Sequence, residues 1–225
     1  MGFAGFIFDV EGTLVDCVPQ TILSLQKSLA DIRLTIPYET LQLYSGLDGD
    51  QALQLISPGL DAATRQEVLS NRASYYRQTY LDGVKALPGV RDTFRTLKKN
   101  GARIALATDC KGPELSHYLA VLGVSDLIDA MSCGDDVEHG KPDPRLVGLA
   151  LRKLDLPGPD VVMIGDTPYD AEAAHGASTG SAGVLTGGFS KETLLQAGCF
   201  AVARDVQDLA SYLGVGSSCP SEAAE

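Results

Sequence analysis

Phe3-Ala-Gly-Phe-Ile-Phe8, running straight into Asp9-Val10-Glu11-Gly12-Thr13-Leu14, is the stretch on which the fold turns. A short unbroken apolar run that ends in aspartate and glycine reads as a strand buried on both faces. Three later runs have the same character: Arg103-Ile-Ala-Leu-Ala107, Val161-Val-Met-Ile164 and Ala182-Gly-Val-Leu185. Helical patterns lie between them. Val90 to Asn100 stops at Gly101, Pro113 to Leu122 stops at Gly123, and Pro144 to Leu154 is followed by Pro157. Strands alternating with helices imply an α/β protein with a parallel sheet covered on both faces.

One stretch breaks the alternation. From about Val18 to Ala86 there is no good strand, while Ile22, Leu25 and Leu29, then Leu53, Leu55 and Ile56, then Thr64 to Tyr80 carry helical spacing. The expected organisation is a core of residues 1–16 and 87–213 with a helical insert at 17–86. The insert would hinge near Asp16 and near Leu87-Pro88-Gly89. Residues 214–225 are small and polar and are expected to be a disordered tail.

A parallel sheet delivers every strand's C-terminal end to one edge, and ligands bind there. Asp9 follows the first strand, Thr108 and Asp109 follow the second, and Asp166 and Asp170 follow the third. Gly140-Lys141-Pro142-Asp143-Pro144 opens the helix before that third strand. Taken singly, each has a plainer reading: a turn aspartate, a helix-capping threonine, a solvated lysine. Those readings do not explain why these groups recur at strand ends in this order.

Composition narrows the function. Eighteen Lys and Arg against 29 Asp and Glu give a net charge of −11, which argues against nucleic acid or an anionic membrane as partner. There is no apolar run long enough to span a membrane, and Phe3 to Phe8 is too short for a signal peptide. The five cysteines are odd in number and widely spaced, so neither a disulfide framework nor a zinc site is expected, and a cytoplasmic location fits.

Phe-Asp-x-x-Gly-Thr-Leu, Ala-Thr-Asp, Gly-Lys-Pro-Asp-Pro and Gly-Asp-Thr-Pro-Tyr-Asp, in that order, resemble the four motifs of the haloacid dehalogenase superfamily. The resemblance runs from Phe3 to about Leu213. Leu87-Pro-Gly-Val90 and Gly165 to Asp170 resemble its phosphoglycolate phosphatase-like branch. It implies a Rossmann-like core with a helical cap inserted after the first motif, and Mg2+-dependent hydrolysis of a small-molecule phosphate monoester. Asp9 would be the nucleophile that becomes an aspartyl-phosphate. The side chains of Asp9 and Asp166 and the backbone carbonyl of Glu11 would hold the magnesium, with Asp170 just outside them or, alternatively, a direct ligand. Thr108 would bind the phosphoryl group, Lys141 would offset its charge, and Glu11 would serve as acid and then base. Asp109 stands at the phosphate-binding position but is expected to point away, because a carboxylate repels phosphate.

Two residues depart from the resembled pattern. Glu11 stands where most of these phosphatases have aspartate, and its extra methylene adds about 1.5 Å of reach; the expectation is a modestly impaired acid. Leu47, in Ser45 to Asp50, stands where close relatives often carry a cation, which argues against a small anionic substrate. The alternatives are a phosphomutase of the same superfamily, or a weakly active phosphate-binding or regulatory protein. A dehalogenase would lack the Glu11 carboxylate. A phosphonate hydrolase would need a cap lysine, and only Lys27 and Lys85 are at hand.

Overall fold

The computed structural model describes residues 2–212. The tail at 214–225 therefore lies outside the described residues. In chain order the elements are β1 (Gly5–Phe8), β2 (Val15–Asp16), α1 (Val18–Asp31), α2 (Tyr38–Gln42), α3 (Gly49–Ile56), α4 (Ala62–Thr79) and β3 (Lys85–Ala86). They continue with α5 (Val90–Lys99), β4 (Arg103–Ala107), α6 (Gly112–Leu122), β5 (Ala130–Ser132), α7 (Arg145–Leu154) and β6 (Val161–Gly165). The chain closes with α8 (Pro168–Gly176), β7 (Gly180–Val184), α9 (Lys191–Gln196), β8 (Ala201–Ala203) and α10 (Val206–Tyr212).

Six of these strands form one sheet in the order β5-β4-β1-β6-β7-β8. Every pairing in it is parallel. β1 is central because all four of its residues are buried and can be covered from both sides. Its side chains alternate between two cores. Phe6 and Phe8 pack with Phe94 and Leu97 of α5, Tyr118 of α6 and Leu209 of α10. Ile7 points the other way, among Leu146, Val147 and Ala150 of α7 and Ala173 and Ala174 of α8. The result is the three-layered α/β fold expected from the alternation.

Two sheet strands escaped the sequence reading. β5 and β8 are three-residue strands at the two edges, Ala-Met-Ser and Ala-Val-Ala. An edge strand needs a partner on one side only and little apolar length, so it leaves a weak pattern. The helical stretch also ends in a strand: β3 pairs antiparallel with β2, Val15 with Ala86 and Asp16 with Lys85. This two-stranded ribbon carries the chain out of the sheet and back.

Helices α1 to α4 gather around Val18, Ile22, Leu29, Leu41, Leu53 and Val68. Ser28 Oγ donates to the Val68 carbonyl at 2.7 Å, tying α1 to α4. Asp48 caps α3, its carboxylate accepting from the Asp50 and Gln51 amides. Asp61 caps α4 through the Thr64 amide.

Candidate active site

Asp9 is the first residue beyond β1. Its amide donates to the Ile164 carbonyl at 2.9 Å, so the β1–β6 ladder holds the backbone up to the carboxylate. That carboxylate is buried, and its Oδ1 accepts from Lys141 Nζ at 2.7 Å. The same ammonium donates to Asp170 Oδ1 at 2.6 Å. Lys141 enters from the loop before α7 and is 2% exposed, so its charge has no other solvent.

Asp170 divides its two oxygens between two tasks. Thr167 and Asp170 form a capping box at the start of α8. Oδ2 accepts from the Thr167 amide at 3.0 Å and its hydroxyl at 2.7 Å, which leaves Oδ1 for the lysine. Asp166 follows β6, and its Oδ1 accepts from the Thr13 hydroxyl at 2.7 Å. Glycines make room for it on both sides: a Cβ on Gly12 or on Gly187 would overlap Asp166 Oδ2. Gly12 also has φ of +81°, where side chains are strained.

Carboxylate oxygens of Asp9, Asp166 and Asp170 lie within 4.8 Å of one another, and all three residues are buried. One ammonium cannot balance three such charges. Burial pushes the Asp9 carboxyl well up; Lys141 offsets part of this, while the charges of Asp170 and Asp166 add to it. Asp166 is raised to about 7, by burial first and then by Asp170. Burial alone would pull Lys141 down, but Asp170, Asp9 and Asp109 hold its pKa well above the usual lysine value. A hard divalent cation would offset this imbalance. Magnesium prefers oxygen ligands and keeps several waters, and Asp9 and Asp166 carry the carboxylates that would hold it, with Asp170 beside them. The donor set is all oxygen, and it fits that ion.

The remaining expected residues are gathered at the same edge, in contacts of their own. Thr108 is buried at the end of β4, accepting from the Cys110 amide at 3.4 Å. Asp109 differs from expectation. It turns toward the lysine loop, where Oδ1 accepts from the Lys141 amide at 3.1 Å and Oδ2 lies 3.8 Å from Nζ. A backbone N–H and a buried ammonium outweigh the repulsion that was expected to turn it outward. Burial raises its carboxyl to about 6. Glu11 is half-buried, and its Oε1 accepts from the Tyr118 hydroxyl at 2.9 Å. From the helical block, the Asp48 amide donates to the Lys141 carbonyl at 2.9 Å, and Asp48 Oδ2 accepts from the Gly140 amide at 3.0 Å.

This geometry can be set beside known proteins. A family model described as haloacid dehalogenase-like hydrolase matches residues 6–184. The chain belongs to that family. The hydrolase is 33% identical over 190 residues to a phosphoglycolate phosphatase of Yersinia pestis, covering 81% of each chain. It is 30% identical over 188 residues to one of Pectobacterium atrosepticum, covering 81% of this chain and 80% of that one. Among solved structures, a hydrolase from Pseudomonas syringae superposes with a TM-score of 0.88 at 27% identity, covering 96% of this chain and 100% of the other. A β-phosphoglucomutase from Clostridium difficile, 20% identical, shares the fold with a TM-score of 0.81 over 94% of this chain and 96% of that one.

Several residues of the hydrolase's site carried no role in the sequence reading. Thr13 sits inside the first motif but was not assigned a partner. Thr186 donates to the Gly12 carbonyl, and Gly187 lies against Asp166, both just beyond β7. The strand-end rule that found the other four sites applies to β7 as well and would have pointed there. Nothing in the sequence marked Tyr118 or Tyr76. Among the described residues, no helix is long and apolar enough to cross a membrane.

Proposed function

We propose that this hydrolase removes phosphate from a small phosphate monoester by way of an aspartyl-phosphate on Asp9. The observation that supports this most directly is the Asp9 carboxylate at the tip of the central strand, pinned by buried Lys141 beside Asp166 and Asp170. A carboxylate so held has one oxygen committed to the ammonium and the other free to attack phosphorus. Holding it in place removes the orientational cost of the encounter.

In the first half-reaction Asp9 Oδ2 bonds to phosphorus as the ester oxygen leaves. Glu11, in its acid form, gives that oxygen a proton. In the second half-reaction Glu11, now a carboxylate, takes a proton from water as the water oxygen attacks phosphorus and Asp9 is released. Lys141 offsets charge on the phosphoryl oxygens throughout, and the Thr108 hydroxyl and nearby amides hold them. Asp9, Asp166 and the Glu11 carbonyl would hold Mg2+, which when bound screens the attacking carboxylate from the phosphate and helps align the two. Asp170 has its oxygens taken by Lys141 and Thr167, which suits a residue that steadies the lysine from outside the metal shell.

Residues 17–86 would act as a cap that closes over the edge and excludes water from it. The cap loop presents Leu47 with Asp48 and Asp50, and Arg65 is already 2.7 Å from Asp50. A loop of that character favours a leaving group without a carboxylate. Phosphoglycolate, named for relatives, is therefore the comparison substrate for a test. A panel of metabolite phosphates with magnesium should give turnover on at least one neutral sugar or polyol phosphate, with release of inorganic phosphate. Isomerised sugar phosphate without phosphate release would turn the reading to a mutase. No magnesium-dependent turnover on any member would sink it.

A further inference from the structure

Glu11 does not hang free in the site. Tyr118 Oη lies 2.9 Å from Glu11 Oε1, and Tyr76 Oη lies 2.7 Å from Tyr118 Oη. A carboxylate oxygen accepts and a phenol has a single proton. If Tyr118 gives its proton to Glu11, Tyr76 must give its own to Tyr118. The three groups thus form a directed chain, Tyr76 to Tyr118 to Glu11. Burial pushes both phenols far above their usual pKa, so both stay protonated donors at neutral pH.

The chain joins two parts of the molecule. Tyr118 belongs to α6 of the sheet's helical layer and is fully buried; Tyr76 belongs to α4 of the helical block and is 4% exposed. One residue further along α4, Arg77 Nη1 reaches Glu114 of α6 at 2.7 Å. Two polar links therefore seat the end of α4 on α6.

Length is the telling feature. Aspartate at position 11 is shorter by about 1.5 Å, so the 2.9 Å contact would open to as much as roughly 4.4 Å. That is no longer a hydrogen bond. The tyrosine is placed for glutamate and is out of range for aspartate.

We propose that Tyr118, backed by Tyr76, is the positioning residue that fits glutamate to this site, holding Oε1 of Glu11 so that Oε2 is the oxygen that exchanges protons with the leaving group and then with water. It rests on the phosphatase reading above and replaces the expectation of an impaired acid with that of a fitted one. The phenol does not touch substrate. It selects one rotamer of a longer and more mobile side chain, and a well-aimed acid recovers acceleration that a freely rotating one loses.

The test is a cycle of four proteins, wild type, Tyr118→Phe, Glu11→Asp and the double variant, assayed with magnesium on the best substrate of the panel. Thermal midpoints are recorded for each. Phenylalanine keeps the ring that fills the core, so packing is largely preserved. Tyr118→Phe should lower kcat about tenfold in the wild type, with KM unchanged within about twofold. Glu11→Asp should also lower kcat. In the Glu11→Asp background, Tyr118→Phe should change kcat by less than about twofold, because the bond is already gone. Tyr76→Phe should give a smaller loss, again only with glutamate present. Equal losses from Tyr118→Phe in both backgrounds would reduce the tyrosine to a packing role and overturn the proposal, as would a rise in kcat on Glu11→Asp. A wild type that turns over nothing, and that Glu11→Gln leaves unchanged, would instead bring down the phosphatase reading and this one with it.

Discussion

The sheet edge and the helical block are built on opposite terms. At the edge, Asp9, Thr13, Thr108, Lys141, Asp166, Thr167 and Asp170 are all at most 4% exposed, and each has a defined partner. In the block, the 18-residue α4 buries only Val68 and Tyr76, and its remaining residues are partly or fully exposed. Buried charges cannot move without leaving a neighbour unpaired, which is costly in a low dielectric. Away from the end of α4 that Tyr76 and Arg77 seat on α6, a thin helical layer with a small apolar cluster can shift or change its surface at little cost. On the function proposed above, chemistry that needs fixed geometry falls to the edge, and choice of substrate to the block.

The largest expected effect is at the edge. Asp9→Asn keeps the side-chain volume but removes the proposed nucleophile, and kcat should fall by at least about 10³-fold, a barrier rise of about 4 kcal/mol. Turnover within about tenfold of wild type would break the contrast at its centre. Gly187→Ala should come close to it, because the added methyl overlaps Asp166 and must displace it. A similar loss should follow from Lys141→Ala and Asp166→Ala, but by different routes. Raising magnesium should restore part of the Asp166→Ala loss by mass action and none of the Lys141→Ala loss. Rescue of both, or of neither, would mean that lysine and aspartate do not divide the work as described.

A smaller effect concerns stability. The Asp166 carboxyl is raised in the folded protein from 3.8 to about 7, so its proton is bound more tightly folded than unfolded. Its contribution to stability is present in full below pH 3.8 and is lost as pH rises to about 7. Without metal, Asp166→Asn should therefore raise the thermal midpoint at pH 8 by about 2–4 °C, even as it destroys activity. Magnesium should stabilise the wild type at that pH and stabilise the variant less. A metal-free variant that melts lower than wild type at pH 8 would show that the ionised cluster is already balanced.

The smallest effect belongs to the block. Substrate analogue should slow amide exchange in the Ser45 to Asp50 loop by about tenfold, with the Asp48 amide, already donating to the Lys141 carbonyl, the slowest. Unchanged exchange with analogue bound would place substrate selection elsewhere.

Much of this was legible before any coordinates. The four central strands, their order of appearance and the aspartates and lysine at their ends follow from apolar runs punctuated by glycine and from the rule that parallel strands share an edge. The short edge strands were not legible, because three residues, Ala-Met-Ser or Ala-Val-Ala, are too few to carry a periodicity. Asp109 was misjudged for a different reason. Its repulsion from phosphate was visible in the sequence, but the Lys141 amide that holds it was not.

What the sequence determined by itself is which chemical groups the site contains and that they meet. Strand ends converge by topology, and topology follows from a local pattern repeated along the chain. Only the tertiary structure decided which oxygen of each carboxylate is committed and which is free. Asp170 gives one to a helix cap and one to a lysine 29 positions away, and Glu11 gives one to a tyrosine 107 positions away. The first depends on how the loop before α7 meets the start of α8, and the second on how α6, with α4 against it, seats beside the first loop. No spacing along the chain records a hydrogen bond whose existence turns on about 1.5 Å of side-chain length.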